Sequence, residues 1–144
     1  MIKKTSMEIP GTVIDKPGFQ GMTAYFALTR DDGMPHYALR IMEFAPGGHT
    51  SLHGHLEEHE FYLIEGKAVI IDAEGKETSL LPGDVLYTAS RELHQIKNAG
   101  NEVMRLVCTI PILAGGDGKV TTHWGRQQTA LNQDRGRNNN IRRG

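Results

Sequence analysis

The segment Gly47-Gly48-His49-Thr50-Ser51-Leu52-His53-Gly54-His55-Leu56-Glu57-Glu58-His59 carries four of the seven histidines in a chain of 144 residues. In an extended chain, side chains two positions apart project to one face, so His53 and His55 point the same way with only Gly54 between them. Two imidazoles on one face can grip one ion. The run Glu60-Phe61-Tyr62-Leu63-Ile64-Glu65-Gly66 then reads as the next strand. If His59 shares the interior face, alternation sets Phe61 and Leu63 beside it, and a histidine site lies inside an apolar wall. A lone histidine would be read as a surface loop residue. Three within seven positions, two of them in strict alternation, point to metal ligation.

Outward from this segment the pattern is all-β. Short runs of β-branched, aromatic and aliphatic residues recur between turn signals at 21–29, 36–44, 61–72, 78–81, 85–88, 94–97 and 103–110. Such spacing predicts a sandwich or barrel. Asp31-Asp32-Gly33 and Ala73-Glu74-Gly75-Lys76 supply a glycine for a hairpin turn, and Pro82-Gly83 suits the central positions of a type II turn. No sustained helical period and no internal repeat interrupts the central region.

Composition excludes several function classes. Sixteen basic against 17 acidic residues give a formal net charge of -1, which argues against a nucleic-acid partner. No apolar run is long enough for a membrane span, and Lys3 and Lys4 precede no apolar leader segment, so a soluble, cytoplasmic chain is expected. The single cysteine, Cys108, permits no intrachain disulfide and fits a reducing compartment. From residue 114 to 144 the composition turns to Gly, Asn, Gln and Arg, predicting a polar tail, or an arm anchored on a partner subunit by His123 and Trp124.

A fourth imidazole is available downstream, where a strand ends near Pro82-Gly83 and the next begins at His94; an antiparallel partner would bring it opposite the first three. The two segments together resemble the paired motifs of the cupin superfamily. The first, G-x5-H-x-H-x3-4-E-x6-G, is matched by Gly47, His53, His55, then His59 at the glutamate position, and Gly66. The second, G-x5-P-x-G-x2-H-x3-N, is matched by Gly83, His94 and Asn98, with Ala89 and Arg91 in place of its proline and glycine.

The resemblance implies a single cupin β-barrel, a double-stranded β-helix or jelly roll, over residues 1–113, with a metal-binding core at 44–110. It implies one divalent transition metal (Mn, Fe, Zn, Ni or Cu) held by His53, His55, His59 and His94, and pairing into a homodimer, for which Tyr37, Leu39 and Ile41 are interface candidates. A one-residue slip would instead offer Glu58 or Glu60 as ligand in place of His59; alternation favours His59. Four neutral imidazoles leave a divalent ion its full +2 charge, a stronger Lewis acid than a site containing a carboxylate.

Four further residues are candidates for the pocket. The run His36 to Phe44 alternates, and either face suits the interior; if Arg40 faces inward it is a buried guanidinium that needs a carboxylate, which a bound acid would supply, although an exposed arginine is the commoner case. On the last strand Arg105 and Thr109 mark the wet face, so Met104, Leu106, Cys108 and Ile110 should point in. Cys108 reads first as a small core residue, with a place near the metal, where it would oxidise, as the alternative. Phe61 and Leu106 complete the set. His36, His49 and His123 are left as surface, loop or interface groups. No nucleophile elbow, P-loop or dinucleotide fingerprint is present. The leading expectation is a mononuclear metal-dependent oxygenase acting on a small organic molecule. A redox-neutral lyase or isomerase and a non-catalytic binding module are the alternatives.

Overall fold

The structure is a computed structural model that describes residues 1–119; the distal part of the expected tail, with His123 and Trp124, lies outside the described residues. Strands β1 (Gly11–Val13), β2 (Gln20–Leu28), β3 (Tyr37–His49), β4 (His59–Glu65), β5 (Ala68–Asp72), β6 (Glu77–Leu80), β7 (Val85–Thr88), β8 (His94–Asn98) and β9 (Met104–Pro111) form one sheet curled into a nearly closed barrel. The order is β6-β5-β8-β3-β9-β4-β7, with β2 on β3 and β1 on β2, and the pairings are antiparallel. No described residue is in an α-helix, as the all-β pattern predicts.

Strand β3 closes the barrel. Its residues 37–44 pair with β9, and then the chain bends through exposed Ala45 to Gly47 so that His49 pairs with Lys97 of β8 on the other half. The sequence run at 36–44 stopped short of this crossing because Pro46 and two glycines read as its end. The run at 61–72 is likewise two strands. Gly66 breaks it with φ 86°, and a Cβ there would stand 2.8 Å from the Met104 backbone, so only glycine lets the chain turn this close to β9. Strand β1 gave no sequence signal, being three exposed residues held only by β2.

Alternation decides what lies inside. Ala38, Arg40, Met42 and Phe44 on β3, His59, Phe61 and Leu63 on β4, and Met104, Leu106, Cys108 and Ile110 on β9 are all buried. Across the ladder Met42 and Leu63 both face Leu106, and Arg40 and Phe61 both face Cys108. Apolar layers therefore fill one end, and the polar residues gather above them.

Candidate metal centre

His53 stands outside the regular strands but forms a two-way backbone bridge with His94, the first residue of β8, with N–H···O distances of 3.0 and 2.9 Å. The bridge sets the two rings together at a centroid distance of 4.7 Å. Between His53 and His55 a side chain on Gly54 would meet the Arg91 carbonyl at 2.8 Å, so glycine is required by that close approach. Arg91 itself donates its N–H to the His55 carbonyl at 2.6 Å and has φ 66°. The motif glycine it replaces would take this left-handed conformation freely; arginine holds it at roughly 1–2 kcal/mol, and His94 keeps its place.

His53, His55 and His94 each bring a ring nitrogen to within 4.8 Å of the others. His53 Nδ1 lies 2.7 Å from the Ser51 carbonyl and His94 Nδ1 lies 2.8 Å from the Glu92 carbonyl. A carbonyl only accepts, so both Nδ1 atoms carry hydrogen and both Nε2 atoms present lone pairs. His55 Nδ1 faces the buried Glu57 carboxylate at 3.6 Å. Burial, aided by the neighbouring His94, pushes His53 and His55 down to about 3, and burial also lowers His94. All three are neutral at pH 7, the form that ligates a metal.

Of the four histidines expected as ligands, His53, His55 and His94 converge, and His59 lies beside them in different surroundings. Its Nε2 lies 2.6 Å from His55 Nε2, while its Nδ1 lies 3.2 Å from both Arg40 Nη2 and Cys108 Sγ. Arg40 can donate to Nδ1, which puts the hydrogen on Nε2 facing His55. Alternatively Nδ1–H donates to the Cys108 sulfur, which frees the Nε2 lone pair for ligation. The first tautomer satisfies the contacts to Arg40 and His55; the second sets the Nδ1–H against the Arg40 donor and leaves the Nε2 lone pair for an ion. Burial also holds His59 well below the usual histidine range.

Glu58 and Glu60 are exposed and do not join the cluster; Glu58 instead accepts from the Tyr87 hydroxyl at 2.6 Å. Glu57 is the acid that turns inward. Sequence reasoning passed over it, although the parity of His53, His55 and His59 runs straight through position 57. Arg40 is buried, against the commoner expectation for a strand arginine. Phe61 stacks near His59 at 4.9 Å between ring centroids, whereas Leu106 lies one layer deeper in the core cluster. His36 is exposed, and His49 points its Nδ1 at the Thr50 carbonyl, 3.1 Å away.

Cys108 is fully buried, and burial pushes its thiol upward against the opposing pull of Arg40. A thiol-specific aromatic disulfide should therefore label the native protein at least ~1,000-fold more slowly than the unfolded chain, since labelling requires the barrel to open. Release of one thiol per chain only after guanidinium unfolding is the expected readout; prompt labelling of the native state would show an accessible sulfur.

The donor set fits a divalent transition ion. The rings are neutral, the Nδ1 atoms of His53 and His94 are held by backbone carbonyls, and the buried His94 Nε2 has no hydrogen-bond partner. The arrangement is a buried histidine cluster inside a nearly closed β-barrel, as in the double-stranded β-helix class of folds. The chain belongs to the cupin family: the family model described as Cupin domain matches residues 40–110. It is 31% identical over 117 residues to the oxalate-binding protein of Thermotoga maritima, spanning 78% of this chain and 95% of that one. A solved structure of a predicted oxalate decarboxylase of Thermotoga maritima superposes with a TM-score of 0.68 at 28% identity, over 78% of this chain and all of that one. The polyketide cyclase RemF of Streptomyces resistomycificus shares the fold, with a TM-score of 0.72 at 21% identity over 85% of this chain and 93% of that one. Among the described residues no helix is long and apolar enough to cross a membrane.

Proposed function

We propose that this chain is a mononuclear metal-dependent cupin enzyme acting on a small organic molecule, with His53, His55 and His94 holding the ion and His59 completing a four-histidine set. The partnerless, buried His94 Nε2 carries this reading, because a buried polar atom without a partner costs about 1–3 kcal/mol unless a ligand completes it. A bound divalent ion (Mn, Fe, Zn, Ni or Cu) would supply Lewis-acid or redox activation of a molecule occupying its open positions. The protein's own part is positional. The Ser51 and Glu92 carbonyls fix two rings, Cys108 and Arg40 hold the third, and Phe61 keeps water from the wall behind them.

Oxygenase-type chemistry is the leading reaction class. A redox-neutral reaction is the second, favoured by the all-imidazole set, which leaves the ion strongly electrophilic, with Glu57 beside His55 as a nearby carboxylate. Similarity to a protein named for oxalate binding supports a small-molecule ligand. Elemental analysis of purified protein, followed by oxygen uptake and turnover assays with oxalate in air and under nitrogen, tests the reading. About one transition ion per chain with oxygen-dependent turnover fits the first class, and turnover under nitrogen fits the second. Protein that holds no ion after purification or reconstitution overturns both. The exposed Tyr37, Tyr62, Ile64, Val85 and Tyr87 give the outer sheet an apolar face, and with Leu39 and Ile41 beside Tyr37 it supports a homodimer.

A further inference from the structure

We propose that Arg40 is the carboxylate-binding residue of the pocket, so that the molecule taken at the histidine centre is an organic acid whose carboxylate pairs with this guanidinium. The inference rests on the reading of the histidine cluster as a metal centre with a small ligand, and it adds the ligand's chemical class.

The two arginines that flank the β3–β9 ladder make the case by contrast. Arg105 faces outward and is held by two carboxylates, Glu43 at 3.0 Å and Glu65. Arg40 faces inward and is only 7% exposed, yet none of the ion pairs among the described residues includes it. Its Nη2 reaches Cys108 Sγ at 2.9 Å and His59 Nδ1 at 3.2 Å, both uncharged groups, and its Nε is buried without a hydrogen-bond partner. A guanidinium has five N–H donors and cannot shed its charge, so burial with two neutral partners leaves a cation stripped of water and without a direct ion-pair partner among the described residues. Folding alone gains nothing from that arrangement. A planar carboxylate matches the donor fork with two parallel hydrogen bonds and supplies the missing charge.

Position connects this cation to the centre. Arg40 touches one nitrogen of the His59 ring, and the other nitrogen of that ring faces His55. The guanidinium thus stands one imidazole away from the converging ligand atoms. Its field is felt at His53, His55, His59, His94 and the half-buried Lys16, all of which it helps to lower. An acid with one donor group on the ion and a carboxylate on Arg40 would be held at both ends, which a monofunctional neutral molecule cannot achieve.

Calorimetric titration of metal-loaded protein with oxalate, malonate and succinate, each against its diamide, tests the proposal without any variant. At least one diacid should bind at least tenfold more tightly than its diamide. Arg40→Lys keeps the charge but not the fork and should weaken that diacid about tenfold, and Arg40→Met should weaken it further, each compared with wild type at equal metal occupancy set by reconstitution and checked by elemental analysis. The ligand-free Arg40→Met protein should melt at or above the wild-type temperature, because a buried unpaired charge has been removed. Equal binding of acid and amide, wild-type affinity in Arg40→Met, or a lowered melting temperature rescued by lysine would each overturn the proposal. So would wild-type protein that holds its metal but binds none of the three acids, a result that leaves the metal centre standing. Absence of metal from the wild type would instead defeat the metal reading itself, and the elemental analysis separates the two.

Discussion

Purified His94→Ala protein is expected to bind its transition ion at least ~100-fold more weakly than wild type, since loss of a partner that merely orients a ligand already costs 10–100-fold. The variant should nevertheless fold. What ties His94 to the first motif is backbone: its N–H and C=O both pair with His53, and alanine keeps both bonds. What alanine removes is the ring whose Nδ1 is fixed by the Glu92 carbonyl and whose Nε2 is buried without a partner. Elemental analysis after dialysis against a weak chelator reads the metal, and far-ultraviolet circular dichroism reads the barrel. His36→Ala, at an exposed position, is the control and should retain the ion. Unchanged metal content in His94→Ala would refute the convergence of the two motifs on one ion.

The fold was legible because its strands alternate cleanly. Parity alone puts His59, Phe61 and Leu63, and again Met104, Leu106, Cys108 and Ile110, on the inside, and the burial pattern agrees. Parity fails where the partner is remote. Strand β3 offered two alternating sets, and only its pairing with both β2 and β9 buries the set that contains Arg40. The ends of β3 and the break at Gly66 were hidden for a related reason: a chain that changes neighbours mid-strand does so through prolines and glycines that locally resemble turns.

The site was legible as a cluster of residue types but not as a geometry. Spacing brings His53, His55 and His59 near one another, yet the different surroundings of His59 depend on Arg40 and Cys108, which are 19 and 49 residues away in sequence. Glu57 fits the alternation of His53, His55 and His59, but the motif sets its carboxylate at 59 or 60, so motif spacing alone does not reveal it. Arg91 shows the reverse case. A departure from the motif glycine is absorbed by the backbone, which keeps the left-handed turn, so a changed residue type leaves the ligand geometry intact.

Asn98→Ala is expected to destabilise the protein by about 3 kcal/mol, lowering the melting temperature by roughly 10 °C, while leaving metal content unchanged. The motif position alone does not say whether this asparagine serves the ion or the barrel; its contacts do. Its Nδ2 donates to the carbonyls of Phe44 at 2.9 Å, Ala45 at 3.1 Å and Glu102 at 2.8 Å, and its Oδ1 accepts from the Gly100 N–H at 2.9 Å. One buried amide therefore ties the end of β8 to the bend of β3 and to the loop that leads into β9. The bend follows directly on Phe44, the last β3 residue paired with β9, so the amide holds the point at which β3 leaves that ladder. Alanine would leave the buried Phe44 carbonyl and the part-buried Ala45, Glu102 and Gly100 groups without this partner, together about 3 kcal/mol. Asn98→Asp separates this account from simple loss of volume: it is nearly isosteric, but it swaps a donor for a charged acceptor facing three carbonyl oxygens, so it should destabilise at least as much as alanine. Urea unfolding of the three proteins at neutral pH provides the comparison. An aspartate variant as stable as wild type would show that the amide donors are not what holds the bend, and metal lost from a folded Asn98→Ala protein would place this residue at the ion after all.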